Sequence, residues 1–389
     1  MADARVETAT KRGRWAVALG IALALSMAIV PGLAIAASAT NGSVAGNRGG
    51  ASLTPLIVIP TWSNVTHKAS KPFVPAARNL ATFAYYPPQR AVVLVDGYAG
   101  STATALLADT YLYNASGRWV NATQNAGAPS ARFAATMAYN RVPCPPALQS
   151  CLVLFGGASY VKSGANTVRL LLNDTWMYNG SWHNLSTSVR GSITGAPGPR
   201  FGATMAWDPA LRGLLLFGGN NGGNLSDTWL FKETPTGGRW TQLTPHGTPV
   251  NARGPYNSLV FDSADREMVM IARGNETWTF ANDTWTQLAV APAPPAVTGR
   301  VLVDLPGVGV VLFGGYAQCY PSSTSCTASA HPFAFSGGNW TTYTTGAHPT
   351  PTQYPVAAYD PVFHAVVFFG TATLNAGGYS AQAGTWLFR

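Results

Sequence analysis

Between residues 200 and 243 the chain reads RFGATMAWDPALRGLLLFGGNNGGNLSDTWLFKETPTGGRWTQL. An Arg leads into an alternating apolar strand, an Asp-Pro turn, an apolar run ending in Gly-Gly, a variable loop, an Asp-Thr-Trp strand, a turn, and a last strand opened by Trp. The same order runs from Arg132 through LVLFGG and NDTWMY to Trp182, from Arg253 through MVMIARG and NETWTF to Trp285, and from Arg300 through VVLFGG and HPFAF to Trp340. An earlier copy holds Arg78, VVLVDG, DTYLY and Trp119, and the last holds AAYDP, AVVFFG and GTWLF but no fourth strand. No other feature constrains the fold as much. A unit of four short strands cannot bury both faces of its own sheet, so the copies must stack on one another.

Four strands per unit at this period predict an all-β, six-bladed propeller with four-stranded blades. The missing strand is available in TWSNVT, residues 61–66, which places Trp62 where the other units have their last-strand Trp. Borrowing it closes the last blade with an N-terminal strand and removes an exposed seam. The six tryptophans 62, 119, 182, 240, 285 and 340 are spaced by 57, 63, 58, 45 and 55 residues. Composition agrees: 41 Gly and 28 Pro suit many short strands and turns, and only 10% of residues are charged, so the surface is mostly neutral and polar.

The Gly-Gly after an apolar run, the downstream Trp and their repetition over residues 56–389 resemble the kelch-repeat β-propellers. Asp96, the Ala272-Arg273 pair and Thr371 depart from the glycine pattern. The resemblance implies a rigid scaffold for partner binding, as in kelch domains that take acidic peptides on arginines. It also brings two enzyme comparisons. Copper oxidases need a Tyr–Cys crosslink and histidine ligands, and the cysteines here read as disulfides. Six-bladed sialidases carry S-x-D-x-G-x-x-W boxes, and the S-D-T-W of this chain lacks the glycine and the spacing.

Residues 1–39 differ in kind. Lys11, Arg12 and Arg14 precede an apolar run from Trp15 to Val30, a Pro31-Gly32 break and Ala37-Ser38-Ala39, the order of a signal peptide or an N-terminal membrane anchor. Either places the rest of the chain outside the cytoplasm, secreted or anchored at the surface, beyond a Gly/Ser/Asn-rich linker at 40–55. The cysteines fit an oxidising compartment: Cys144/Cys151 and Cys319/Cys326 share a C-x6-C spacing that suits two local disulfides better than a metal site.

The candidate chemistry is sparse. Asp208, Asp262, Asp304 and Asp360 occupy or neighbour the turn after the first strand, and Asp109, Asp174, Asp227 and Glu276 precede the Thr of the third. Repetition makes both groups structural, and Asp96 stands apart because it replaces a glycine. His67, His246 and His348 lie on three separate loops, which disfavours a metal site, and no cofactor motif appears. The strongest signal is Arg78, Arg132, Arg200, Arg253 and Arg300, read as one repeat position near the end of the channel. Such a ring is either an anion site or a set of structural bonds to carbonyls or an Asp of the adjacent sheet. Nucleic acid is not an expected partner, because lysine is scarce and no basic stripe appears. The membrane enters only through the N-terminal segment.

The sequence thus points to a non-enzymatic binding or adhesion scaffold for a surface protein or an acidic glycan, contacted on the face of the variable Gly-Gly loops. A glycan-active enzyme using the channel mouth is the alternative. Eleven Asn-x-Ser/Thr triplets occur, and Asn114, Asn179 and Asn282, in equivalent turns, are the candidate glycan acceptors. Trp176 and Trp182 read as packing between sheets rather than a sugar platform.

Overall fold

The structure is a computed structural model that describes residues 60–66, 74–99, 105–124, 127–144, 149–186, 195–235, 237–249, 258–272, 275–317, 331–346, 348–349, 354–375 and 378–389. The chain divides into Met1–Leu56 and Ile57–Arg389. The expectations for residues 1–39 and 40–55 lie outside the described residues. Among those described, no helix is long and apolar enough to cross a membrane.

A short strand β1 (Trp62–Asn64) comes first. Blade I is β2 (Thr82–Tyr86), β3 (Ala91–Val95), β4 (Thr110–Asn114) and β5 (Trp119–Asn121). Blade II is β6 (Thr136–Cys144), β7 (Gln149–Ser163), β8 (Asn166–Tyr178) and β9 (Trp182–Asn184). Blade III is β10 (Thr204–Asp208), β11 (Gly213–Asn220), β12 (Asn224–Thr234) and β13 (Gly237–Leu243). Blade IV is β14 (Ser258–Asp262), β15 (Glu267–Ile271), β16 (Thr277–Ala281) and β17 (Thr284–Leu288). Blade V is β18 (Val297–Leu305), β19 (Gly309–Ala317), β20 (Phe333–Ser336) and β21 (Asn339–Thr342). Blade VI joins β22 (Val356–Asp360), β23 (Ala365–Asn375) and β24 (Gly378–Phe388) to β1. β1 pairs antiparallel with β24, Trp62 opposite Phe388, so the N-terminal strand closes the ring as the sequence predicts.

The first strands of neighbouring blades approach one another all around the ring and line its axis. The second strands are apolar without alternation because both faces are covered. In β7, Val153 and Phe155 pack toward Met205, Leu216 and Trp240 of blade III, while Leu152 and Leu154 pack toward Ala84 and Val95 of blade I. Six such clusters, one per pair of neighbouring blades, form the core.

One hydrogen bond recurs across these interfaces. The Nε1–H of a last-strand Trp donates to a Thr hydroxyl of the third strand of the preceding blade. Trp119 reaches Thr385 at 3.0 Å, Trp182 Thr110 at 3.0 Å, Trp240 Thr175 at 3.1 Å, Trp285 Thr228 at 3.1 Å and Trp340 Thr277 at 3.0 Å. The repeated Asp-Thr-Trp and the repeated Trp are therefore two halves of one joint. Trp62 breaks the series, because Pro332 stands where blade V needs the Thr, and its buried Nε1 has no partner among the described residues.

The Gly-Gly pairs are fixed by backbone geometry. Gly156 and Gly157 have φ of 66° and 98°, and Gly157 N–H donates to Arg200 O of the next blade at 2.9 Å. A Cβ on Gly157 would lie 2.9 Å from Phe133 O, so no side chain fits.

Thr175→Val keeps the shape of the joint but orphans the buried indole N–H of Trp240, and is expected to cost ~1–3 kcal/mol in urea denaturation. Trp62→Phe removes no such bond and should lose only what its packing contributes. No loss of stability in Thr175→Val would show that the Trp–Thr bond contributes nothing beyond contact.

Candidate functional site

The channel has two ends that differ chemically. At the end where the first strands begin, Arg78, Arg132 and Arg200 are buried. Each turns its guanidinium into its own blade. Arg132 grips Asp174 with two bonds of 2.7 and 2.8 Å, gives Nη1 to Gly156 O at 3.0 Å and Nε to Ser130 O at 3.0 Å. Arg200 does the same with Asp227 at 2.6 and 2.9 Å, Gly218 O at 3.0 Å and Gly198 O at 3.0 Å. Arg78 pairs in the same two-pronged way with Asp109 and with Asp96 O and Ala76 O. The fork tethers the first strand to the end of the second and the start of the third. The acid belongs to the same sheet, not the adjacent one, and the partners are the acids that precede the Thr. Burial pushes the Asp174 carboxyl up, but the bonds from Arg132 and the Trp176 N–H outweigh it and hold it below its ordinary value.

The other two arginines stand apart. Arg253 lies outside the described residues. Arg300 sits opposite Gly314 within β18, with Val301 in the register position of Thr204, so it is three residues nearer the strand than Arg200. It is not the repeat equivalent of the others. Its Nη2 donates to Ala272 O of blade IV at 2.7 Å, and burial lowers its pKa to about 10. His331 occupies the place of the missing acid in blade V.

Asp96 replaces the first glycine of blade I, keeps the glycine's positive φ of 62°, and is 0% exposed. Neither carboxylate oxygen has a hydrogen-bond partner among the described residues, and Arg132 Nε is 3.9 Å away with its donors already committed. Desolvation wins over that attraction and raises the Asp96 pKa well above normal.

At the opposite end, the fourth position of each first strand forms a collar. By register it holds Tyr85, Tyr139, Trp207, Phe261, Asp304 and Tyr359, all half-buried. The signal is present in the repeat, as FAYY, MAYN, MAWD, LVFD, LVDL and AAYD, whose third letter is the collar residue. Asp208, Asp262 and Asp360 do cap that turn, accepting from Ala210 N at 2.8 Å, Ala264 N at 2.9 Å and Val362 N at 2.8 Å. Asp304 does not. It lies one residue earlier, in the collar, and accepts from Ser263 N of blade IV at 3.4 Å. The first strands enclose a cavity of ≈ 800 Å³, within the range of small-molecule pockets.

The remaining expectations resolve as follows. Cys144 and Cys151 form a buried disulfide, while Cys319 and Cys326 lie outside the described residues. Glu233 approaches that disulfide and accepts from Asn140 at 3.2 Å, and burial raises its pKa to about 8. Asn282 is exposed in a tight turn with φ of 49°; Asn114 and Asn179 are half-buried, their Oδ1 atoms engaged by Ser116 N at 3.0 Å and the His183 ring at 3.1 Å. Trp176 and Trp182 are buried between blades I and II. His67 lies outside the described residues.

Fold and site together define a six-bladed β-propeller with four-stranded blades, an arginine-tethered channel end and an aromatic-collared one. Compared with known proteins, the chain matches no family model and no curated sequence. Among the solved structures it does match, "Structure of YjhT" aligns with a TM-score of 0.56 and 16% identity, covering 81% of this chain and 96% of that one. That likeness shows the fold.

Arg200→Ala strands Asp227 and should cost ~3–5 kcal/mol in chemical denaturation, with Arg200→Lys failing to restore the two-pronged grip. A fully stable Arg200→Ala protein would contradict the tether. The two aspartates also give opposite pH slopes. Asp96, with its raised pKa, favours the fold below the ordinary carboxylate range and loses that advantage as pH rises through its folded value. Asp174, with its lowered pKa, contributes above that range and loses it as pH falls. Asp96→Gly restores the repeat residue and should raise stability at neutral pH by ~1–3 kcal/mol while flattening the alkaline-going loss. A destabilised Asp96→Gly protein would show that the carboxyl has a structural partner.

Proposed function

We propose that the chain is an extracytoplasmic kelch-repeat propeller, a non-enzymatic scaffold that binds a surface protein on the face of its arginine-tethered end. The observation that carries this reading is the β7–β8 hairpin, which continues past Gly157 to a turn at 164–165. Its inner face is held down: Tyr160 stacks on Phe133 with centroids 5.7 Å apart and planes at 20°, and Arg169 lies 4.8 Å over the Phe201 ring. Its outer face presents Val161, Val168 and Leu170, exposed at 42, 46 and 45%. Apolar side chains on a rigid arm suit a protein partner better than an acidic glycan, and a pre-ordered arm loses little entropy on binding. The Cys144–Cys151 disulfide and the basic-then-apolar segment at 1–39 support placement outside the cytoplasm. Glycans on Asn114, Asn179 and Asn282 belong to the same proposal, with Asn282 the most accessible.

Labelled protein should bind intact cells of the source organism. Val161→Ser, Val168→Ser and Leu170→Ser combined should weaken that binding about tenfold or more without changing the melting temperature. Unchanged binding by the triple variant rejects the hairpin as the contact. Turnover of a chromogenic sialoside would displace the scaffold reading altogether. Mass spectrometry of the mature N-terminus and of the three Asn sites tests the placement.

A further inference from the structure

We propose that the collared end of the channel is a binding site for a small zwitterion bearing an ammonium and a carboxylate, the class of amino acids and betaines. The site lies at the opposite end of the blades from the hairpin, and the proposal stands independently of the scaffold reading.

The collar gives the first argument. Five of its six positions are aromatic and the sixth is Asp304. Aromatic faces attract cations through the ring quadrupole, and they attract a weakly hydrated, alkyl-substituted ammonium without requiring it to lose strong hydrogen bonds. A carboxylate among such rings provides the counter-charge. It is not alone on its side. Blade IV brings Asp262 and blade VI brings Asp360, next in sequence to the collar's Phe261 and Tyr359, and each keeps one buried carboxylate oxygen without a hydrogen-bond partner among the described residues. Asp265 and Glu267 follow on the same turn of blade IV. The sector from blade IV to blade VI is thus rich in acid, opposed locally by Arg266 and His364, both exposed.

The other side of the mouth carries the opposite sign. Arg141, on blade II, lines the cavity and is exposed, and Arg90 follows the blade I turn. Arg141 is near enough to act on Asp304: burial pushes that carboxyl up, and Arg141 is among the groups that pull it back down. Blades II and V face each other across a six-membered ring, so this interaction spans the mouth. A cation alone would meet Arg141, and an anion alone would meet the acids. A zwitterion satisfies both, with its ammonium against the aromatic rings and Asp304 and its carboxylate on the guanidinium of Arg141. Small side chains behind the collar, Ala84, Ala138, Ala206 and Ala358, leave room for an apolar substituent.

Calorimetric titration of the full chain with four probes of one shape separates the charges. Glycine betaine carries both, choline the cation, 3,3-dimethylbutanoate the anion and 3,3-dimethylbutan-1-ol neither. Betaine should bind about tenfold or more tighter than the other three. Asp304→Asn should reduce betaine to the level of 3,3-dimethylbutanoate, Arg141→Gln should reduce it to that of choline, and Trp207→Leu should weaken every probe. Arg141 is exposed, so its variant folds even if another does not, and the probe series needs no variant at all. The proposal is overturned if betaine and 3,3-dimethylbutanoate bind equally, if Arg141→Gln leaves betaine affinity unchanged, if no probe binds, or if a neutral saccharide occupies the site equally well in the wild type and Asp304→Asn.

Discussion

A blade of this propeller has two apolar faces and no way to cover either, so everything else depends on how one blade grips the next. The grip is mostly non-directional burial, which fixes contact but not register. The hydrogen bond from the last-strand Trp to the third-strand Thr of the preceding blade supplies the direction. It holds the indole at one depth and leaves neither polar group unsatisfied. The arginine forks act within a blade. In blades I, II and III they bind the first strand to the end of the second and the start of the third.

These two devices explain what the sequence disclosed and what it hid. Blade number, strand order and the closing role of Trp62 were legible because burial repeats with the sheet, and a repeated pattern survives local substitution. The arginines were legible as a position but not as a function. Their partners, Asp109, Asp174 and Asp227, lie 31, 42 and 27 residues downstream, a separation set by loops of unequal length. Asp304 neighbours the turn as expected but does not cap it, for a related reason. In blade V the Asp-Pro of the turn becomes Leu305-Pro306, and only strand register reveals that the Asp has moved one place back into the collar. An Asp adjacent to a Pro-containing turn carries no sequence mark that distinguishes a cap from a wall.

Blade V is where the repeat is loosest among the described residues. It has Pro332 for the Thr, His331 for the acid, a displaced Arg300, and Asp304 in an otherwise aromatic collar. Pro332 has no hydroxyl, so this joint loses the Trp–Thr bond that the other joints have. The interface with blade VI compensates by packing. Trp62 sits among Phe313 at 5.4 Å, Phe368 at 5.4 Å, Trp386 at 6.4 Å and Phe388 at 4.9 Å, an aromatic cluster denser than at any joint that keeps its hydrogen bond. Edge-on contacts of this kind contribute about 0.5–1.5 kcal/mol each beyond burial, enough together to replace one neutral hydrogen bond.

That substitution has a mechanical consequence for the ring. The Trp at this joint belongs to β1, the strand from the far end of the chain, which is held inside blade VI through Thr61 N to Arg389 O at 2.7 Å and Arg389 N to Thr61 O at 3.1 Å. Ring packing is less directional than a hydrogen bond, so this joint is held by contact where the others add a fixed polar pair. Asp304 lies on one flank of it and Tyr359 on the other. Arg141, across the mouth, belongs to a blade held by Trp–Thr bonds on both sides. A molecule bridging Asp304 and Arg141 would therefore join the flank of an aromatic-packed joint to a blade that Trp–Thr bonds hold on both sides.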